Sequence, residues 1–386
     1  MKALMINKYY APDVGGVETV IQQHAEHLSN SGHDVTVLCV KKNFSLKTEH
    51  EILNNVKIIR CSSFGTFFSM PLSITFFLHY IINIIRTNLV VFHAPFPLVD
   101  LAAFFFLPKR IKKVVFWHSD IIRQKKLKVL FDFFINNSLK QADIVLTTSS
   151  TLAANSLNLR KYKEKVAVVP LSIDVNNIIN KAENSEEPAP DLAKIDLENI
   201  DFISFGRLSY YKGIKVLIDA LTLLSRDGIT PSVLIAGQGE LTDDIKTAIA
   251  REGLKNVHFL PRFLSENEKY LLLKKSRCFL FPSVANSEAF GITQLEALAL
   301  GTPVINTSLP TGVPDVSLDK QTGLTVTPSD PRALAQAMKA IYLNEVDVEF
   351  FSRNAAERAR IVYDDAIVLG QFSDILAGLL QKQSHE

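Results

Sequence analysis

Short runs of β-branched and apolar residues, each followed by a longer amphipathic stretch, occur in two separate series along the chain. Lys2–Asn7, Asp34–Val40, Val114–Trp117, Ile144–Thr148 and Val166–Val169 form the first series. Phe202–Phe205, Val233–Ala236, Val257–Leu260, Phe279–Phe281, Val304–Asn306 and Leu324–Val326 form the second. Runs this short and this apolar suit parallel strands covered on both faces, and stretches such as Val17–Ser31 suit the helical crossovers between them. An alternation that stops and restarts predicts an α/β protein of two doubly wound parallel-sheet domains. The length, 386 residues, agrees with two domains better than one. The first domain is expected over residues 1–180 and the second over 200–365. The polar, proline-interrupted stretch Lys181-Ala182-Glu183-Asn184-Ser185-Glu186-Glu187-Pro188-Ala189-Pro190, inside Asp174–Ile200, is the linker expected between them. The last amphipathic run, Ala366–Leu380, is free to pack on either domain.

Charge and composition narrow the setting. Cys39, Cys61 and Cys278 fit no disulfide or metal-ligand spacing, and residues 1–20 lack a secretory pattern, so a reduced, cytoplasmic protein is expected. The formal charge is +10 over residues 1–181 and −8 over the remainder. A basic half beside an acidic one suggests an anionic partner for the first. Phe64–Ile85 contains 22 residues with no Asp, Glu, Lys or Arg, which approaches a bilayer span. Gly65, Pro71, His79 and Asn83 within it argue against a span, as does the continuation of the strand series beyond it. The expectation is one or two buried or interfacial helices, flanked by Lys109-Arg110-Ile111-Lys112-Lys113 and by Arg123, Lys125, Lys126 and Lys128. Apolar surface beside basic groups suits peripheral attachment to an anionic membrane, the inner leaflet for a cytoplasmic protein. The basic residues are not interleaved with aromatics in a nucleic-acid-binding pattern, so no nucleic-acid partner is expected.

Four segments carry chemistry. Ser287-Glu288-Ala289-Phe290-Gly291-Ile292-Thr293-Gln294-Leu295-Glu296-Ala297 directly follows a strand. A helix starting near Gly291 turns its free amides and positive dipole end toward the carboxyl edge of the sheet, where anions bind. Glu288 before that helix and Glu296 inside it are eight residues apart, roughly 12 Å at helical rise, comparable to the span from a sugar to a ribose across a diphosphate. Phe205-Gly206-Arg207-Leu208-Ser209-Tyr210-Tyr211-Lys212-Gly213 adds two cations after the first strand of the second series. Arg207 can fork onto phosphate oxygens and Lys212 can supply a point charge, together replacing a divalent metal. In the first domain, Gly15-Gly16 follows the opening strand and permits close backbone approach or positive φ. Trp117-His118-Ser119-Asp120 ends another strand, with Asp120 expected to orient His118 for hydroxyl binding or proton handling. His24, His27, His33, His79 and His258 lie within helical or strand patterns and receive no role.

These residues resemble family 4 of the retaining glycosyltransferases, of GT-B fold, through most of the chain. The Glu-x7-Glu pattern of Glu288 and Glu296 is similar to that family's donor motif, and Arg207 and Lys212 to its diphosphate clamp. Gly15-Gly16 resembles its N-terminal glycine loop and His118 its first-domain active-site histidine. The resemblance implies two Rossmann-like domains facing a central cleft, closure about a hinge, and a C-terminal helix, about residues 366–386, crossing back to the first domain. It further implies a nucleotide-sugar donor on the second domain and an acceptor on the first, with no metal and no other cofactor. Glu288 then holds sugar hydroxyls, the amides of Phe290 and Gly291 the phosphates and Glu296 the ribose, Pro261-Arg262-Phe263 flanks the base, and Ala289 and Ile292 belong to the same donor site. No nucleophile is evident, so the resemblance implies same-face substitution with the leaving phosphate accepting the acceptor's proton. Gly291–Ala297 and Asn306–Pro314 look like bacterial mannosyl- and rhamnosyltransferases that build O-antigen on lipid-linked saccharides. That favours GDP-mannose, with UDP-N-acetylglucosamine or UDP-glucose as alternatives. A nucleotide-sugar epimerase and a non-catalytic, membrane-associated nucleotide-sugar-binding protein are the readings of other classes.

Overall fold

The two strand series build two separate sheets. The computed structural model describes residues 1–13, 15–67, 70–120, 125–184 and 189–381, with the backbone alone over 125–130. Val14, Arg123 and the linker residues Ser185–Pro188 lie outside the described residues, and so do the side chains of Lys125, Lys126 and Lys128. The chain divides into one unit of residues 1–171 and 368–386 and another of residues 172–367.

In the first unit the strands are β1 (Lys2–Ile6), β2 (Asp34–Val40), β3 (Glu49–Leu53), β4 (Val56–Cys61), the short pair β5 (Thr66–Phe67) and β6 (Met70–Pro71), then β7 (Leu89–Ala94), β8 (Lys112–Trp117), β9 (Ile144–Thr147) and β10 (Val166–Val168). The main sheet runs β10-β9-β8-β7-β1-β2-β4-β3. All its pairs are parallel except β3 with β4. That hairpin turns through Asn54 and Asn55, both at positive φ (50° and 64°), the geometry that a two-residue hairpin loop demands. The second unit contains β11 (Phe202–Phe205), β12 (Val233–Ala236), β13 (Val257–Leu260), β14 (Cys278–Leu280), β15 (Val304–Thr307) and β16 (Gly323–Val326), in the order β13-β12-β11-β14-β15-β16 and all parallel.

Strand order reverses between β1 and β7 in the first sheet and between β11 and β14 in the second. A doubly wound sheet binds ligands outside the carboxyl ends of its strands at such a switch point, because the flanking crossovers leave on opposite faces there. The loops after β1 and β7, and those after β11 and β14, are therefore the places to look for chemistry. Each sheet is packed through Leu, Ile, Val and Phe side chains. Leu4, Ile6, Phe92, Val115 and Trp117 lie at the centre of the first core, and Phe202, Leu217, Ile235, Leu280 and Met338 at the centre of the second.

β3, β4 and β7 lie outside the strand series expected from the sequence, and two further segments depart from expectation. Only Thr75–Ile84 of the uncharged stretch is helical; ahead of it the chain makes the β5–β6 pair, since Gly65 (φ 100°) and Pro71 both interrupt helix. This helix is apolar on two sides. Phe76, Tyr80 and Ile84 are buried, while Ile74, Leu78, Ile81 and Ile85, spaced by four, three and four residues, are 72, 58, 44 and 43 % exposed. Among the described residues no helix is long and apolar enough to cross a membrane. The linker expectation also shifts. Val175–Glu183 is a helix of the second unit, capped by Asp174 Oδ1 on the Asn177 amide (2.8 Å), with Val175, Ile178 and Ala182 buried. Lys181 pairs with Glu266 at 2.6 Å, so the chain changes units at Leu171 and Ser172, not beyond residue 180.

The last helix, Asp365–Gln381, returns to the first unit from Val368 onward. Phe372 is fully buried there, stacked on His24 at 4.1 Å, and Gln371 Nε2 donates to the Val168 carbonyl (3.0 Å).

Candidate active site

The loops after β11 and β14 meet at the switch point of the second sheet. After β11 the chain passes Arg207 and makes one tight turn, Tyr210–Lys212, before Gly213 caps the next helix. Gly213 has φ 71°, and a Cβ there would lie 1.9 Å from the Pro282 carbonyl oxygen, so only glycine lets the two loops touch. The contact is sealed by the Val284 amide donating to the Tyr211 carbonyl at 2.8 Å.

That contact brings Lys212 to Glu288. Lys212 Nζ lies 2.6 Å from Glu288 Oε2 and 4.8 Å from the centre of the Phe281 ring, and Ser283 Oγ donates to the same carboxylate oxygen at 3.3 Å. Both charges are largely withdrawn from water, with side-chain exposures of 18 % and 11 %. Arg207 is exposed, and its guanidinium has no partner among the described residues.

The helix after Glu288 spans Ile292–Ala299 with Gly291 as its N-terminal cap. Gly291 has φ 89°, and a Cβ would meet Phe281 Cζ at 2.5 Å, so the close approach of this turn to β14 requires glycine. Among the described residues the amides of Phe290 and Gly291 donate to no protein group. The Phe290 ring is buried against Tyr363, while Ala289 and Ile292 are half-buried beside the turn. Because the helix starts at Ile292, half of the interval between Glu288 and Glu296 is loop, and the helical-rise argument covers only the second half.

A buried amide network holds this turn. Gln294 Nε2 donates to the Phe290 carbonyl (2.9 Å), and Asn306 Nδ2 donates to Gln294 Oε1 (3.0 Å) and to the carbonyls of Val313 (2.9 Å) and Ser317 (3.0 Å). Neither Gln294 nor Asn306 was given a role by sequence reasoning. Their polar type inside an otherwise apolar helix and strand was the available signal.

Glu296 is also nearly buried. Lys269 Nζ reaches Oε1 at 2.9 Å, but Oε2 is buried and has no hydrogen-bond partner among the described residues. Burial pushes its carboxyl above the ordinary range, against the attraction of Lys269. An unsatisfied, buried carboxylate oxygen on the helix that follows the Gly291 turn is chemically able to accept from a ligand hydroxyl.

Arg262 is differently placed. Its guanidinium is spent on Asp191 (2.7 and 2.8 Å) and Glu268 (2.7 and 2.9 Å), a double fork that fixes the loop after β13 and leaves Phe263 57 % exposed. Hydrogen bonding from Arg262 lowers the Asp191 carboxyl to about 2. The side chain of Phe263, not the guanidinium of Arg262, is the group of this loop that is open to a ligand.

In the first unit the loop after β1 runs to Gly15 and Gly16, where the helix Gly16–Asn30 begins. Gly15 is extended (φ −178°), a conformation open to any residue, so positive φ is not the reason for glycine here. A Cβ at Gly15 would instead crowd the Glu18 carboxylate (2.2 Å to Oε2). Arg60 braces the loop by donating from Nη1 to the Tyr10 carbonyl (3.1 Å) and from Nη2 to the Ala11 carbonyl, and sequence reasoning did not find it.

His118 follows β8 at the carboxyl edge, as its position requires, but Asp120 does not orient it. Asp120 Oδ1 accepts from Trp117 Nε1 (3.0 Å) and Ser156 Oγ (2.6 Å). His118 Nε2 instead meets His93 Nδ1 at 2.9 Å, from the end of β7. Phe116 stacks on His118 at 4.5 Å and on His24 at 5.4 Å. Burial holds all three imidazoles well below their ordinary range, His24 and His118 to about 3.

Comparison with known proteins agrees with this architecture. Solved structures similar over nearly the whole chain include sucrose-phosphate synthase from Thermosynechococcus elongatus (TM-score 0.74, 18 % identity, 99 % of this chain and 100 % of that one) and Anabaena Alr3699/HepE in complex with UDP (TM-score 0.72, 19 % identity, 98 % and 100 %). The fold is that of the GT-B glycosyltransferases. Residues 14–177 match the model of Glycosyltransferase Family 4, and residues 187–358 that of glycosyl transferases group 1. Curated relatives include D-rhamnosyltransferase WbpZ of Pseudomonas aeruginosa, 31 % identical over 94 % of this chain and 92 % of the relative, and O-antigen chain mannosyltransferase C of Escherichia coli, 27 % identical over 100 % of both. The chain belongs to glycosyltransferase family 4.

Proposed function

We propose that this glycosyltransferase moves mannose from GDP-mannose to a lipid-linked saccharide in the synthesis of an O-antigen-type surface polysaccharide, with retention of configuration and without a metal. The observation that carries the donor side is the convergence at one switch point of the exposed Arg207, the Lys212–Glu288 pair and the unpaired amides of Phe290 and Gly291. The choice of mannose is supported by full-length similarity to a mannosyltransferase and to a D-rhamnosyltransferase.

Arg207 and the helix N-terminus bind the diphosphate. A sugar hydroxyl that donates to Glu288 loosens its hold on Lys212, and the ammonium is then free to follow charge onto the leaving phosphate. The acceptor oxygen bonds to the anomeric carbon as the carbon–phosphate-oxygen bond breaks, and the acceptor's proton passes to the leaving phosphate. Glu296 Oε2 accepts from the ribose, Phe263 lies along the base, and His118 holds a sugar hydroxyl. The fixed cations and amides supply the charge that a divalent ion would otherwise provide.

The exposed face Ile74, Leu78, Ile81 and Ile85, with Arg86, Lys109 and Arg110 exposed in the same unit, supports peripheral attachment to an anionic bilayer, where a lipid-linked acceptor resides.

A panel of GDP- and UDP-sugars tested for thermal stabilisation and transfer, with and without a chelator, tests the reading. GDP-mannose should stabilise the protein and be consumed in chelator, and Arg207→Ala and Glu288→Ala should each abolish transfer while the fold persists. Stabilisation by UDP-sugars alone, or loss of transfer in chelator, would overturn the donor assignment or the metal-independent mechanism respectively.

A further inference from the structure

His93 is the penultimate residue of β7 and His118 the first residue beyond β8, on parallel neighbours in which Ala94 pairs with Trp117. That register sets the two imidazoles side by side, nearly coplanar (14°), with Nδ1 of His93 2.9 Å from Nε2 of His118. Both rings are buried, His93 1 % and His118 4 % exposed. A neutral imidazole has one N–H and one bare nitrogen, so one ring donates and the other accepts.

The two arrangements differ in what they strand. If His118 donates, His93 must carry its own hydrogen on Nε2, and that nitrogen is buried with no partner among the described residues. If His93 donates from Nδ1, its Nε2 is a bare nitrogen, and an orphaned acceptor is better tolerated than an orphaned N–H. The second arrangement leaves the hydrogen of His118 on Nδ1, while the hydrogen bond seen for this ring among the described residues is made through Nε2.

We propose that His93 is a positioning residue that locks His118 in the Nδ1–H tautomer, so that His118 acts on the sugar substrate as a hydrogen-bond donor to oxygen and not as a proton acceptor. The proposal rests on the reading that His118 touches substrate. It also accounts for the pairing of two histidines where a histidine and a carboxylate were expected. A carboxylate partner would favour a charged imidazolium, whereas a neutral partner in a dry pocket keeps the ring neutral and fixes which nitrogen carries the hydrogen.

The decisive measurement is the long-range proton–nitrogen NMR spectrum of histidine-labelled wild-type protein, which reports directly which ring nitrogens are protonated. His118 should show hydrogen on Nδ1 and a bare Nε2; hydrogen on Nε2 overturns the proposal without any variant being made. His93→Asn places an amide N–H near Nδ1 and should keep both the tautomer and the turnover. His93→Phe keeps a ring of similar size but no donor, and should mix the tautomers and lower kcat/KM about tenfold, the worth of one hydrogen bond. A His93→Phe protein with unchanged His118 tautomer and unchanged turnover would refute the positioning role. His118→Phe separates the two claims: if it transfers as well as wild type, His118 does not touch substrate, while the tautomer assignment stands on the spectrum alone.

Discussion

Removing Lys212 should damage the protein more than removing Lys212 and Glu288 together. At 2.6 Å the two charges attract with about 6 kcal/mol at an effective dielectric of about 20, and most of this offsets the cost of withdrawing them from water. Lys212→Met removes the attraction and leaves the Glu288 carboxylate, 11 % exposed, with one weak donor, Ser283 Oγ at 3.3 Å. Stranding a buried charge costs about 3–5 kcal/mol, and the residual exposure of this pair puts the expected loss near the lower limit, about 3 kcal/mol. Glu288→Gln should cost about 1 kcal/mol, since the lysine can swing toward water. The double variant should also cost about 1 kcal/mol, because an uncharged pair of similar volume replaces the ion pair. In urea unfolding of the second unit the cycle should therefore give a coupling energy of about 3 kcal/mol. For a unit of this size the single Lys212 variant should lower Tm by about 6–12 °C. Additive losses, or a Lys212→Met protein within about 1 kcal/mol of wild type, would refute the view that this pair is withdrawn from water and stabilised mutually.

Other consequences are as direct. Gly291→Ala, which forces an L side chain to φ 89° and its Cβ to 2.5 Å from the Phe281 ring, should cost about 2 kcal/mol or more and abolish detectable donor binding by calorimetry. Glu296 has its carboxyl pKa raised by burial, so its charged form is a penalty present above that pKa and relieved below it. Glu296→Gln should thus match or exceed wild-type thermal stability at pH 7 while weakening donor binding about tenfold by titration. The three buried histidines are depressed, His24 and His118 to about 3, so below about 6.5 the unfolded chain takes up protons that the folded one refuses. Stability of the first unit should therefore fall as pH drops from about 6.5 toward 3, by up to about 1.4 kcal/mol per pH unit for each histidine, and His24→Phe should make that fall shallower in acid-unfolding curves. Arg207→Lys, which keeps the charge but loses the fork, should raise the donor KM, whereas Lys212→Ala should lower kcat more than it raises KM, in steady-state assays.

What sequence could show was set by how local each feature is. The strands of the second sheet were found within one residue because buried parallel strands are continuous apolar runs. Glu288, Gly291 and Glu296 could be placed around one helix start because a strand, a turn and a helix follow one another without interruption. The hairpin β3–β4 was not found: β3, Glu-His-Glu-Ile-Leu, is exposed along the sheet edge, and the turn is two asparagines, not the glycine-bearing turn that marks such hairpins. The first unit's own logic was hidden for a different reason. His93 sits in Leu-Val-Val-Phe-His-Ala, a strand absent from the first series read in the sequence, and its meaning depends on the register of β7 against β8. Arg60 likewise acts on a loop fifty residues earlier in the chain. Proximity in sequence misled at Asp120, whose carboxylate turns to Trp117 and Ser156.

The distribution of charge at the second unit's edge sets an order of events. Lys212 is held by Glu288, Lys269 by Glu296, and Arg262 by Asp191 and Glu268. Among these basic groups only Arg207 is exposed and has no carboxylate partner among the described residues. On the proposed donor reading, an approaching diphosphate should meet Arg207 and the amides of Phe290 and Gly291 first, because neither must break an existing bond to receive it. Lys212 becomes available only to a ligand that also satisfies Glu288, which means one carrying hydroxyls next to its phosphate. On the same reading a free nucleotide has nothing to offer Glu288 and should leave the ion pair closed, so the pair itself should discriminate a nucleotide-sugar from the nucleotide that remains after transfer.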